Sequence, residues 1–343
     1  MESLYKHQRM AVDFAVENQG CFALFHDPGL GKTRTCLEIF SHYRAFQPNL
    51  RLFVVCPLSL VNAAWGEDIK RFTSFSYAPF KELKDKVPDI VVINYEALIS
   101  KRHLPAVERL IRAHNFMCVL DESSRLKNNK SVTTKTLLDL VDDFKYRIIS
   151  SGTPMPNSEL ELWGQVRFIQ PDVLPTSFYA FRNIYFHLER YGQVMHLAGQ
   201  YVSRDQMREY LSSGWKYVIT PDNRRRLMEE IKPFTNWVKK EEALDLPEKI
   251  DEVREVELNA KEQKAYDEMR DFLITEIEGE EITAQVALAK LMKLRQATAG
   301  FFYSETHEAV EIGHATKLKE LEEILEDLGP QPVIIWVQFH HEV

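Results

Sequence analysis

At 343 residues, 45% hydrophobic and 27% charged, the chain has room for two or three domains and the composition of an ordinary globular protein. No apolar run approaches the length of a membrane span and no signal-peptide core opens the chain, which excludes a membrane partner and predicts a cytoplasmic protein. The net charge of −8, from 43 Lys+Arg against 51 Asp+Glu, argues against nonspecific coating of nucleic acid but leaves room for a local basic groove.

The hydrophobic pattern predicts a helix over Lys6–Asn18 and a short strand over Phe22–Phe25. Asp27-Pro28-Gly29-Leu30-Gly31-Lys32-Thr33 follows and opens a helix predicted over Thr33–Tyr43. Strand, loop and helix in this order are the setting of a phosphate-binding loop. Pro28, Gly29, Leu30 and Gly31 would shape a cradle of backbone N–H groups, Lys32 would add a point charge, and Thr33 would ligate Mg²⁺. His26 stands where the usual G-x-x-x-x-G-K-[ST] pattern has its first glycine. Taken alone, the segment also fits an ordinary glycine turn before a helix.

Further strands are predicted over Leu52–Cys56, Ile90–Asn94, Met117–Leu120 and Arg147–Ser150. Helices are predicted over Ala63–Phe72, Leu104–His114, Thr133–Val141 and Leu160–Ile169. This alternation predicts an α/β fold, a parallel sheet with helices on both faces. Met117–Leu120 runs into Asp121-Glu122, at the strand end where open α/β sheets bind ligands. Asp121 is suited to hold Mg²⁺, largely through water, and Glu122 to orient or deprotonate an attacking water.

From Gln170 to about Pro247 the alternation is lost and aromatic residues crowd in, from Phe178 and Tyr179 to Trp215 and Tyr217. A small helical packing region is expected there. Helices are predicted again over Lys261–Ile277, Ile282–Ala299 and Thr316–Leu328, and an apolar strand over Val333–Val337. Cys21, Cys36, Cys56 and Cys118 form no C-x-x-C pair and are expected to be buried free thiols. The short basic runs, such as Arg224-Arg225-Arg226, are expected to be solvated faces.

Several words of this chain stand in a recognisable order. Leu4-Tyr5-Lys6-His7-Gln8, the Asp27–Thr33 loop, Val54 to Leu60 with Trp65 and Phe72, Ile93 to Leu98, Asp121 to Asn128, and Ser150 to Asn157 together resemble the Swi/Snf-type ATPases. These are a branch of the superfamily-two helicases and double-stranded-DNA translocases, whose phosphate loop also lacks the first glycine. The resemblance implies a RecA-like lobe that binds ATP and Mg²⁺, with Lys32, Asp121 and Glu122 in catalysis and Gln8 reading the adenine edge. It implies nucleic-acid contacts from Pro57, Ser59, Asn94, Tyr95, Arg125 and Lys127. It also implies that Ser124, Ser151, Gly152, Thr153 and Pro154 relay nucleotide state to those contacts. Ser124 departs from the histidine usual in the family, which shortens its reach.

The resemblance extends through Lys239–Lys249, Leu294-Arg295-Gln296 and Thr316-Lys317-Leu318, and Val333–Phe339 resembles the first strand of the family's second lobe. The implied division is a lobe over 1–168, a helical protrusion over 169–250, a helical linker over 251–314, and the start of a second lobe over 315–343. The family's later arginine-bearing motif has no counterpart in the sequence. An arginine at the γ-phosphate is worth about 10³–10⁵ in rate, so the chain is expected to bind ATP better than it hydrolyses it. The implied partner is double-stranded DNA. The alternative is a nucleotide-binding module without turnover, completed by a separate polypeptide. A metabolic P-loop kinase would leave the Ser-Gly-Thr-Pro word unexplained.

Overall fold

The computed structural model describes residues 3–84, 86–190, 193–196, 203–245, 250–275, 284–304, 306, 308–312 and 316–342. The chain forms two compact units, Met1–Pro247 and Glu248–Val343.

The first unit is built on a sheet of seven strands: β1 (Cys21–His26), β2 (Arg51–Cys56), β3 (Tyr77–Pro79), β4 (Ile90–Asn94), β5 (Phe116–Asp121), β6 (Tyr146–Ser150) and, after three strands of a smaller sheet, β10 (Thr235–Val238). Their order is β10-β1-β6-β5-β2-β4-β3, and every pairing is parallel. Continuous apolar runs make the central strands. β4 and β5 are buried along their whole length, as strands covered by helices on both faces must be. Because all seven strands run the same way, the segments that follow β1, β2, β4, β5 and β6 emerge at one edge of the sheet. The phosphate loop, the Asp121-Glu122 turn and the Ser-Gly-Thr-Pro segment lie there.

The sequence predicts five of these strands to within a residue or two. It misses β3 and β10. Each is a sheet edge of three or four residues, too short and too mixed to show a period. The predicted helix over Ala63–Phe72 is real but starts as a π-helical stretch, Val61–Gly66, before turning α-helical over Glu67–Phe72.

Where helices alone are expected after Gln170, three short antiparallel strands stand beside the helices Phe178–Tyr185, Arg204–Ser212 and Pro221–Ile231. They are β7 (Phe186–Arg190), β8 (Gln193–His196) and β9 (Lys216–Ile219), in the order β8-β7-β9. Phe181, Tyr185 and Phe186 are buried core, and Tyr179 is 44% exposed. Tyr191 and Tyr201 lie outside the described residues.

In the second unit the described helices are Ala260–Thr275, Ala284–Thr298 and Thr316–Leu328, with a hairpin of β11 (Phe301–Tyr303) and β12 (Ala309–Glu311). The helix ends expected at Ile277 and Ile282 fall outside the described residues, as do Leu246 to Lys249 of the linker word. Glu262, fully buried, accepts hydrogen bonds from the Thr316 N–H at 2.8 Å and from the Thr316 hydroxyl. Its carboxylate therefore caps the N-terminus of the last long helix. The strand expected over Val333–Val337 is not formed. Those residues have no ladder partner among the described residues and are open to water, Trp336 by 90%. A parallel strand needs neighbours to satisfy its backbone, and here none is beside it. Phe339 is the apolar side chain of this stretch that finds cover, 5.5 Å from the Phe301 ring.

Candidate nucleotide site

The phosphate loop turns between β1 and the helix Lys32–Phe46 on two left-handed glycines, Gly29 at φ 87° and Gly31 at φ 69°. At Gly31 the positive φ disfavours any other residue, and a Cβ there would sit 2.5 Å from Gln8 Nε2 and displace it. The loop closes around its own lysine. Lys32 Nζ donates to His26 O at 3.0 Å and to Asp27 O at 3.4 Å. Thr33, half-buried, occupies the first turn of the helix, where backbone N–H groups and the dipole favour an anion.

The N-terminal helix Lys6–Glu17 braces this loop. His7 Nε2 donates to Leu30 O at 3.0 Å, and Gln8 Nε2 donates to Gly31 O at 3.3 Å. Gln8 Oε1 accepts the Tyr5 N–H at 3.0 Å. The proposed adenine reader is thus 4% exposed and tied to the phosphate loop.

A second brace comes from β10, whose role the sequence does not reveal. The Asp27 N–H donates to Val238 O at 3.1 Å, and the Lys240 N–H donates to Asp27 Oδ2 at 2.9 Å. Beneath the loop, His26 is fully buried and its Nε2 donates to Asn236 Oδ1 at 2.6 Å. Burial, ahead of the nearby His7 and Lys32, pushes the His26 imidazole from 6.5 down to about 4, although the Asn236 bond pulls the other way. The native state therefore prefers a neutral His26, while the unfolded chain takes up a proton below about 6.5. Stability should fall as the pH drops from 6.5 towards 4, by about 3 kcal/mol from this group at 1.36 kcal/mol per pH unit. Urea unfolding across that range, with histidine side-chain NMR to assign the step, checks it. A His26 that titrates near 6.5 in the folded protein would refute it.

Asp121 ends β5 beside Ser150 of β6 and is 6% exposed. Its Oδ2 accepts Trp65 Nε1–H at 2.9 Å and its Oδ1 accepts the Glu122 N–H at 3.1 Å. Burial raises its carboxyl above the ordinary range, against the pull of Trp65 and of the Lys32 charge. Two bonds leave further lone pairs on the carboxylate, so the residue fits a cation held largely through water. Glu122 adopts φ 53°, a left-handed turn unusual for a side chain of this kind. The turn directs the chain out of the sheet at the strand end. Burial and then the Asp121 charge raise the Glu122 carboxyl, while Lys32 and Ser151 lower it. Among the described residues no cluster of His, Cys, Asp and Glu is arranged to hold a metal unaided.

The Ser-Gly-Thr-Pro segment meets both halves of the site. Ser151 Oγ donates to Glu122 Oε2 at 3.3 Å and accepts the Thr153 N–H at 3.1 Å. Gly152 packs on the phosphate loop so closely that a Cβ would lie 2.8 Å from Pro28 Cδ. Ser123, rather than Ser124, links the acidic turn onward. Its Oγ donates to Gln165 Oε1 at 2.7 Å, and Gln165 Nε2 donates to Pro154 O at 2.6 Å. Ser124 lies half-buried in the same 3₁₀ turn. Gln165 is fully buried in an otherwise apolar helix face, which was the signal available in the sequence.

The nucleic-acid candidates divide. Pro57, Ser59, Arg125 and Lys127 lie at the exposed rim of the strand-end edge. Asn94 and Tyr95 do not. Tyr95 is 2% exposed and its hydroxyl donates to Asp121 O at 2.9 Å. Asn94 is buried and donates to Glu96 Oε2 at 2.8 Å, and Glu96 reaches Arg125 at 3.8 Å. Cys36, Cys56 and Cys118 are buried free thiols pushed up by burial, and Cys21 is a half-buried one. No described helix is long and apolar enough to cross a membrane.

The SNF2-related domain family matches residues 7–300. A SWI/SNF-related matrix-associated actin-dependent regulator of chromatin subfamily A-like protein 1 homolog from Caenorhabditis elegans is 31% identical over 184 residues, 53% of this chain and 26% of that protein. Putative protein p41 of Acyrthosiphon pisum secondary endosymbiont phage 1 is 25% identical over 334 residues, 92% of this chain and 68% of that protein. A solved Sulfolobus solfataricus SWI2/SNF2 ATPase core in complex with dsDNA shares the fold, at a TM-score of 0.55 and 22% identity over 95% of this chain and 64% of that one. The chain thus spans about a quarter of the nematode relative and under two thirds of the solved core.

Proposed function

We propose, from the premise that the chain belongs to the SNF2-related family, that it carries the ATP-binding lobe of a motor acting on double-stranded DNA. Its fold is the α/β RecA-like one of Swi/Snf-type ATPases. The observation that carries the reading is the contact between the two halves of the site. One serine, Ser151, bonds the carboxylate suited to handle water, and the next residue, Gly152, packs on the phosphate loop.

In this reading the loop amides and Lys32 hold the phosphates, and Gln8 reads the adenine edge. Thr33 and Asp121 would hold Mg²⁺, which neutralises phosphate charge when bound. Glu122 accepts a proton from, or orients, the attacking water. Ser151, Gly152, Thr153 and Pro154 transmit the state of the phosphates to the rim at Pro57, Ser59, Arg125 and Lys127. Lys32 is the cation that the loop itself carries.

Calorimetric titration with ATP and GTP, in the presence and absence of Mg²⁺, tests the nucleotide assignment. ATP should bind at least tenfold more tightly than GTP, and only with Mg²⁺, a difference of about 1.4 kcal/mol. Equal affinities would remove Gln8 from its role. Steady-state ATPase with and without duplex DNA tests the motor reading. Binding of ATP with no response to any DNA would favour the module without turnover.

A further inference from the structure

A groove of about 1140 Å³ opens between the turn that follows the acidic motif and the helices of the inserted region. Its lining includes Asn128, the residue that follows Lys127 of the rim in sequence. Four cations line it: Lys130, Lys135, Arg182 and Arg208. Among the described residues no carboxylate lines it, in a chain whose net charge is −8.

The state of these cations sets the groove apart. On the nearby helix Pro221–Ile231, Arg224, Arg225 and Arg226 are each paired, with Glu159, Asp222 and Glu230. Among the described residues, none of the groove's four cations has a carboxylate within 4.0 Å. Arg182 is the informative one. It is 8% exposed, and its Nε and Nη2 donate to a neutral acceptor, Asn183 Oδ1, at 3.1 and 2.9 Å. Its guanidinium stands 5.2 Å from the Tyr179 ring centre and 4.7 Å from that of Tyr217. A buried guanidinium with no counter-charge is costly unless an anion completes it. Tyr179, 44% exposed, lies at the same place.

Unpaired cations in a groove and an exposed aromatic ring backed by arginine are together the chemistry of a single-strand site. The cations follow the phosphates and the ring stacks on an unpaired base. A duplex offers phosphates but no free base face, and an acidic peptide has no use for the ring. We infer that this groove binds a single strand of nucleic acid, with a base on Tyr179 and phosphates on Lys130, Lys135, Arg182 and Arg208. The inference rests on the nucleic-acid reading above and adds an unpaired strand to it.

The test is fluorescence anisotropy of the full chain with a labelled single strand of about 20 nucleotides, long enough to exceed one groove's reach. The same sequence as a duplex, and polyglutamate, are the other probes. Tyr179→Ala should weaken the single strand by about 5- to 150-fold, the range of one lost base stack, and leave the duplex within about twofold. Lys130→Ala with Arg208→Ala, both at exposed positions, should lower the salt slope for the single strand by about 1.4, near 0.7 per phosphate. Circular dichroism confirms that the variants are folded. If Tyr179→Ala leaves the single strand unchanged, or weakens the duplex equally, the groove assignment fails while the motor reading stands. Polyglutamate that competes as well as the single strand would assign the groove to an acidic protein. Failure of the unaltered chain to bind either form of DNA would overturn both readings.

Discussion

Glu122→Gln should leave Mg·ATP affinity within about twofold and lower turnover by about 10²- to 10⁴-fold, the usual worth of a positioned general base. The residue stands one position beyond Asp121 on a left-handed turn, with its Oε2 held by Ser151. Its hydrogen-bond partner is Ser151 rather than a residue of the Asp27–Thr33 loop. The amide keeps an oxygen to accept from Ser151, so the turn should survive the change. Burial and the Asp121 charge raise the Glu122 carboxyl. A raised carboxyl is protonated, and inactive as a base, to a higher pH than usual, so turnover should rise with pH along an acid limb displaced upwards. The same shift means that the folded state favours the protonated form and loses stability as the pH rises through the raised value. The glutamine, always neutral, escapes that loss. The variant should therefore unfold no earlier than the unaltered chain at neutral pH. Loss of nucleotide binding in Glu122→Gln would show that the residue acts on the phosphates and overturn its assignment to water.

The strands that the sequence reveals are those whose side chains are buried on both faces. β4 and β5 are continuous apolar runs because helices cover them above and below. β10 is hidden because it is a Thr-Asn-Trp-Val edge that joins the sheet only through a long return, and its partner β1 is far away in sequence. The site divides the same way. Lys32, Asp121 and Glu122 can be proposed from the sequence because each belongs to a short word at the end of a strand. Trp65, Gln165 and Asn236 are not, because each acts through a contact made only in the folded chain. The resemblance implies that Asn94 and Tyr95 contact nucleic acid, whereas the fold turns both inward to support Glu96 and Asp121. The Val333–Val337 run shows the limit of pattern reading. Its composition is that of a buried strand, but a strand also needs neighbours, and composition is silent on whether they are present.

Lys32→Ala should weaken Mg·ATP binding by about 10- to 150-fold, with the first unit still folded. The fold should survive because the loop is held without the lysine. His7 and Gln8 bond Leu30 O and Gly31 O from one side, while Val238 and Lys240 bond Asp27 from the other. The carbonyls of His26, which is fully buried, and of Asp27 lose this donor, which should cost some stability while the loop's other bonds remain. In the role proposed for Lys32, what is lost is the positive charge it offers to the phosphates. A hydrogen bond to a charged group is worth about 1.5–3 kcal/mol, which gives the range stated at 1.4 kcal/mol per tenfold. A second consequence separates charge from shape. Lys32 lowers the carboxyls of Asp121 and Glu122. Without it both should rise further, and whatever turnover remains should need a higher pH. Lys32→Arg keeps the charge and should hold the pH profile near the original, yet its wider planar head does not fit a cradle closed around an ammonium, so binding should still weaken. Calorimetry for affinity and a pH–rate profile for the two variants decide the matter. Unchanged affinity in Lys32→Ala would mean that the backbone amides alone hold the phosphates.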